Sequence, residues 1–332
     1  MYSILKLSPD DRRTVFRNTA QKMGVHEAII EKDYWVCIVL DYLFHISRFC
    51  GSLMFKGGTS LSKCFDLIKR FSEDIDLILD WRILGYEKYE PWQERSKSKQ
   101  SIFNKDANIR TAAFLSNEFL PAFTSELSDI IGERAIAEIE QSDLQTVCFH
   151  YPRLFSVGSI VQAIRLEVGT LAAWTPAVTR SVTPYVLNYY PQLSEMTSTT
   201  VIASTVERTF WEKVTILHHE ANRPEQLDMP ARYSRHYYDL YCIAQTNFKT
   251  SALDRLDLLQ KVVEFKMKFY PRAWAKYEDA VPGSIRLIPP EFRFNTLRSD
   301  YKAMAEMLFG EGISFDELIQ SLTLLEYEMN HH

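Results

Sequence analysis

The sequence predicts an α/β fold with a small mixed sheet, followed by an all-helical C-terminal part. Three observations carry this reading. Two short apolar strands, SLMFK (52–56) and DIDLILD (74–80), bracket a helical run. Two more strand-like runs follow, TVCFHY (146–151) and SIVQAIRLEVGTL (159–171). After about residue 203 apolar residues recur at helical spacing, over 205–221, 233–246, 251–275, 299–310 and 314–329. The change of pattern near 195–205 suggests two domains, 1–200 and 201–332.

The remaining elements are read in order. DRRTVFRNTAQKMG, with Ser8 or Asp10 as its cap, is a helix ending at Gly24. HEAIIEKDYWVCIVLDYLFHI is apolar around most of its circumference, as a buried helix would be. Within it Glu31-Lys32-Asp33 reads as a helical charge cluster with no part in catalysis. TSLSKCFDLIKR (59–70) is a helix with Leu61, Cys64, Phe65 and Ile68 on one face. Residues 82–145 are polar and read as mostly helical, with SKSKQ (96–100) as an exposed connection. A Pro- and Thr-rich stretch, TPAVTRSVTPYVLNYYP, crosses the middle of the chain. Phe210, Trp211, Val214 and Leu217 recur as a core face, and His218-His219-Glu220 lacks the spacing of a metal motif and reads as structural.

The 332 residues are 46% hydrophobic and 24% charged, in keeping with a globular protein that has a full core. A net charge of −5 does not announce a nucleic-acid partner, which would need a local basic patch. Arg12, Arg13 and Arg17 form one such cluster, and Lys88, Arg95, Lys97, Lys99 and Lys105 another. The five cysteines are odd in number and include no CxxC pair, so reduced thiols are expected rather than a disulfide framework or a zinc site. The N-terminal residues lack the apolar core of a signal peptide, and no run approaches the ~20 apolar residues of a membrane span. A cytoplasmic location with no membrane partner is the expectation.

The chemistry concentrates in FKGGTSLSKCFDLIKRFSEDIDLIL (55–79). Gly57 and Gly58 stand between a strand and a helix start, where missing Cβ atoms permit a tight turn and close approach to a ligand. Thr59 and Ser60 add hydroxyls, and the helix start adds free N–H groups suited to phosphate oxygens. Neither a P-loop nor a GxGxxG fingerprint is present. Asp74 and Asp76, two apart on a strand, project from one face. Adjacent carboxylates repel unless a cation joins them, and Mg²⁺, a hard ion that shares carboxylates with substrate phosphates, fits that role.

These motifs resemble the opening of the DNA polymerase β-type nucleotidyltransferase superfamily, a GG[ST] turn followed by DxD. FKGGTSL with RFSEDIDL, EKDYWV (31–36), TFWEKVTILH (209–218) and RYSRHYYDLY (232–241) resemble more closely the AbiEii/MenT family of nucleotidyltransferase toxins from type IV toxin–antitoxin systems. The resemblance spans roughly residues 28–245. It implies a nucleotidyltransferase fold and transfer of a nucleoside monophosphate from an NTP to a hydroxyl. It implies two Mg²⁺ ions held by Asp74 and Asp76, with Glu167 in AIRLEVG as the candidate third carboxylate. Lys56, Gly57, Gly58, Thr59, Ser60, Ser72 and Lys213 would bind the nucleotide, Lys213 as a point charge for the triphosphate. Asp239 would complete the pocket from the helical half. The family also implies a cognate antitoxin and, for some members, the tRNA 3′ end as acceptor. Transfer to a protein or small molecule, and a catalytically silent nucleotide- and partner-binding module, remain as alternatives.

Overall fold

The computed structural model describes residues 1–72, 74–156, 161–172, 174–304, 308–309 and 312–331. The chain divides into two compact units. The first comprises Met1–Cys64 with Phe71–Ser204, and the second Phe65–Arg70 with Thr205–His332.

The first unit is built on a mixed sheet of seven strands among the described residues: β1 (Leu53–Lys56), β2 (Asp74–Leu79), β3 (Ile136–Glu140), β4 (Asp143–His150), β5 (Ile164–Gly169), β6 (Ala177–Val182) and β7 (Thr199–Ser204). Their spatial order is β3-β4-β5-β2-β1-β7-β6. β2 runs parallel to β5 and β1 parallel to β7, while β1 and β2 pair antiparallel. Ile164, Leu166 and Val168 of β5 are buried, whereas Arg165, Glu167 and Gly169 between them are half-exposed. This period-two alternation fixes the register, since a slip of one residue would bury the charged set.

Five of these strands differ from the sequence expectation. β3 lies inside the region expected to be helical, and β4 starts at Asp143, before the expected 146. β6 occupies the Thr-rich stretch as an exposed edge strand, which leaves no apolar alternation to read. β7 sits where the domain change was drawn. The expected strand 159–171 shortens to Ile164–Gly169, and its residues 159 and 160 lie outside the described residues. SKSKQ is not a connection: Ser96 caps the helix Lys97–Phe114, its side chain accepting from the Lys99 N–H. The helix expected over 59–70 covers only Gly57–Lys63, after which Asp66 takes a left-handed φ of 52° and the chain leaves the first unit.

The helix Glu27–Asp41 is buried along nearly its whole length and packs beside β5 and β7. Its three consecutive charges are buried too, and each holds a different segment. Glu31 accepts from the backbone N–H groups of Leu154 and Phe155. Lys32 donates to the Val161 carbonyl. Asp33 pairs with Lys63 at 2.5 Å and accepts from the Tyr185 N–H at 2.7 Å. Lys63 also donates to the Thr183 carbonyl and lies 3.9 Å from the Tyr185 ring centroid. Buried charge persists only when paired in this way.

The second unit is helical, with Val206–Ala221, Ser234–Ala244, Phe248–Leu253, Leu256–Phe269, Phe294–Met304 and Phe315–Asn330 as its main helices. The run expected as one helix over 251–275 is broken near Asp254, and residues 305–307 and 310 of the expected helix 299–310 lie outside the described residues. Phe210, Trp211, Val214 and Leu217 are fully buried. His218 accepts from the Arg286 N–H and bonds the Lys276 carbonyl through its other nitrogen, a structural role. The segment Phe65–Arg70 is held here by the Phe65–Phe248 ring contact and by the Phe309 N–H, which donates to the Lys69 carbonyl at 2.7 Å. All five cysteines are free thiols. Among the described residues no helix is long and apolar enough to cross a membrane.

Two outcomes follow from the charges of Glu27–Asp41. Asp33→Ala leaves the Lys63 ammonium buried without its carboxylate and is expected to cost about 3–5 kcal/mol in urea unfolding, with the double change Asp33→Leu, Lys63→Met costing less. Burial pushes the Glu31 carboxyl up from 4.5 to about 7, against the opposing N–H groups of Leu154 and Phe155 and the more distant Arg12 and Arg13. Between those two values the folded protein retains a proton that the unfolded chain has released, so this group's contribution to stability falls as pH rises through the window. Glu31→Gln is expected to flatten the melting temperature across the same window; an unchanged slope would refute the assignment.

Candidate active site

The glycine turn grows directly out of β1. Gly57 follows Lys56 with φ of +80°, a conformation that side chains rarely adopt. A Cβ placed on Gly57 would fall 1.9 Å from Asp76 Oδ2 and 2.5 Å from its Cγ. The Asp76 carboxylate therefore rests on the bare Cα of Gly57, and the two motifs meet. Lys56 is the cross-strand partner of Asp76 in the β1–β2 pair.

Hydroxyls tie the turn to β2. Thr59 Oγ1 donates to the Asp74 carbonyl and lies 3.0 Å from Ser72 Oγ. Ser60 Oγ donates to the Gly57 carbonyl at 2.9 Å. Gly58, Thr59 and Ser60 are buried. Ser72 precedes the strand rather than sharing its face, because β2 begins at Asp74.

Asp74 and Asp76 share a face of β2, and in the parallel pairing they stand beside Arg165 and Glu167 of β5. Asp74 is buried and Asp76 half-exposed. The Arg165 guanidinium reaches carboxylates from three strands: Glu140 at 2.6 Å, Glu167 at 3.4 Å and Asp74 at 3.6 Å. Glu140 is held below the usual carboxylate range by the Ser142 hydroxyl first and by Arg165. Among the described residues no three His, Cys, Asp or Glu side chains lie together so that they could hold a metal ion by themselves. The donors present are all carboxylate oxygens, two of them on one strand face beside the turn. That set suits Mg²⁺, which takes one or two carboxylates and draws its other ligands from substrate phosphates and water.

Lys213 and Asp239 come together within the second unit. Lys213 Nζ donates to Asp239 Oδ2 at 2.8 Å and lies 3.0 Å from His236 Nδ1. Arg70 grips the same carboxylate in bidentate fashion, Nε to Oδ1 at 2.7 Å and Nη2 to Oδ2 at 2.9 Å. Burial pushes the Asp239 carboxyl up, but Arg70 and Lys213 outweigh it and hold the group well below the ordinary range. Burial lowers Lys213, with Asp239 opposing and Arg70 adding to the shift. His236 is lowered well below 6.5 by burial and by the Lys213 ammonium, so it stays neutral and accepts from that ammonium.

Sequence reasoning assigned no site role to Arg165, Glu140, Arg70 or His236. Arg70 and His236 stand inside the quoted motifs RFSEDIDL and RYSRHYYDLY. Glu140 sits on a strand that was not read as one, and Arg165 resembles any strand Arg–Glu neighbour until its third partner is seen.

A mixed sheet with a glycine turn after β1 and an Asp-x-Asp strand alongside is the arrangement of a nucleotidyltransferase-type α/β protein. The model of a family described as the nucleotidyl transferase AbiEii toxin of type IV toxin–antitoxin systems matches residues 40–321, and the chain belongs to that family. Among solved structures, MenT4, a nucleotidyltransferase toxin from Mycobacterium tuberculosis H37Rv, is similar at 14% identity and a TM-score of 0.49, over 94% of this chain and 98% of that one. JHP933 from Helicobacter pylori is similar at 12% identity and a TM-score of 0.44, over 92% and 93% of the two chains. No curated protein matches the sequence at a significant level.

Gly57→Ala places a methyl group where the Asp76 carboxylate lies and forces an L residue into a left-handed conformation. The expected result is a loss of about 1–3 kcal/mol of stability, read by urea unfolding. Wild-type stability in this variant would contradict the close approach of Asp76 to Gly57.

Proposed function

We propose that this protein is a Mg²⁺-dependent nucleotidyltransferase that moves a nucleoside monophosphate from an NTP to a hydroxyl acceptor. The first unit is its nucleotidyltransferase domain and the tRNA 3′ end its acceptor. It acts in the cytoplasm as a toxin held in check by a cognate antitoxin. The observation that carries this reading is the close approach of Asp76 to Gly57, which joins the carboxylate pair to the glycine turn.

In the reaction the acceptor oxygen forms a bond to the α-phosphorus, the bond from that phosphorus to the bridging oxygen breaks, and pyrophosphate leaves. Asp74 and Asp76 would hold two Mg²⁺ ions, with Glu167 as the third carboxylate. When bound, the metal neutralises phosphate charge and makes the acceptor hydroxyl easier to deprotonate. Glu167 takes up the hydroxyl proton. Lys56, the Gly57–Gly58 backbone and Ser72 orient the phosphates. Thr59 and Ser60 support the same turn, since their hydroxyls are engaged with the Asp74 and Gly57 carbonyls. Lys213 supplies positive charge for the triphosphate, and Asp239, with both oxygens committed to Arg70 and Lys213, holds that lysine in place. Lys97, Lys99 and Lys105 are exposed along the helix Lys97–Phe114 and favour an RNA acceptor.

The test is incubation with each of the four labelled NTPs, Mg²⁺, and either total tRNA, protein extract or small hydroxyl compounds. Label on tRNA is expected, and label on protein alone would replace the acceptor. Asp76→Asn is expected to lower transfer by at least about a hundredfold and to abolish growth inhibition; full toxicity in that variant would end the enzymatic reading.

A further inference from the structure

Asp74, Asp76 and Glu167 stand on one face of two adjacent strands, and Arg165 on that face also reaches Glu140 of β3. Asp74, Glu140 and Glu167 share the Arg165 guanidinium, and carboxylates gathered around one cation repel one another when it is withdrawn. Arg165 is a cation on this face, and Lys56 is paired across the strand from Asp76. Arg165 does not treat its three partners alike. It holds Glu140 at 2.6 Å, the distance of a firm charge-assisted hydrogen bond. Glu167 and Asp74 stand off at 3.4 and 3.6 Å.

We propose that Arg165 is a resident counter-ion of this carboxylate face, moored on Glu140, which yields Asp74 and Glu167 to a divalent ion when one arrives. The inference deepens the reading of the site as metal-binding and rests on it. The long contacts are the ones an incoming ion must replace, and the short one holds the guanidinium back from closing fully on those same oxygens. Arg165 thereby holds the carboxylates in place before substrate binds. It also opposes a bare divalent ion, because two positive centres then compete for the same oxygens. An ion that arrives already bound to a triphosphate brings negative charge of its own and meets less opposition. Arg165 so couples metal occupancy to nucleotide occupancy.

The experiment is Mn²⁺ binding to the full chain without nucleotide, read as the loss of the free-ion paramagnetic resonance signal. Arg165→Gln is expected to bind Mn²⁺ roughly tenfold more tightly than wild type, from the loss of one nearby positive charge. Its melting temperature in EDTA should fall and recover with Mn²⁺. Arg165→Lys keeps the charge and should lie between the two, which covers the case of a Gln variant that does not fold. Glu140→Gln releases the mooring and should weaken Mn²⁺ binding. Equal or weaker Mn²⁺ binding by Arg165→Gln overturns the inference. If wild type binds Mn²⁺ and Asp76→Asn does not, the metal reading survives that failure; if neither wild type nor Arg165→Gln binds Mn²⁺, both fall together.

Discussion

One steric fact organises the first unit: the Asp76 carboxylate occupies the place where any residue but glycine would carry a Cβ at position 57. The antiparallel β1–β2 pairing sets this up by placing Lys56 opposite Asp76, so the residue after Lys56 turns directly beneath the aspartate. The left-handed φ of Gly57 makes the turn possible, and Thr59 fastens it from the other side through the Asp74 carbonyl. The parallel β2–β5 pairing then adds Arg165 and Glu167 to the same face. A shift of one residue in either ladder would turn the aspartates towards the apolar side of the sheet, where Leu77 and Leu166 are fully buried.

Buried ionic groups recur in both units, and they do one kind of work. Glu31, Lys32 and Asp33 emerge from a single helix and fasten the segments at 154–155, 161 and 183–185, together with Lys63. Asp239 is shared by Arg70 and Lys213, which keeps it ionised in a place where burial alone would neutralise it. Buried pairs of this sort add little net stability over an apolar packing of the same volume, but removing one member is costly. A misplaced partner would leave a naked charge in the interior, which penalises near alternatives to the native arrangement.

Much of this was legible in the sequence. The strands around Phe55 and Leu77, the buried helix around Trp35 and the helices of the second unit announced themselves because each puts a regular apolar face into a core. The glycine turn and the Asp-x-Asp spacing are local in the chain and so could be read as a pair. The misses have physical causes. Ala177–Val182 is an edge strand with most side chains in water, so hydrophobic periodicity had nothing to mark. Ile136–Glu140 has an exposed Ile136 and ends in an ion pair. Glu31-Lys32-Asp33 read only as a charge cluster local to its helix, because their partners lie 30 to 152 residues away. Arg165 and Arg70 gain their meaning only from partners that the fold delivers from other elements.

Phe65–Arg70 leaves the α/β fold in mid-course, takes its place among the helices, and returns the chain to β2. The two units are therefore threaded through each other in sequence, although each is compact by itself. A gene fragment ending at Ser204 would encode Arg70 without Asp239 and Phe65 without Phe248. Transplanting the helical unit elsewhere would require lifting a short stretch out of the middle of a foreign fold as well. Moving either unit whole by recombination would take cuts at all three places where the chain passes from one to the other, not one.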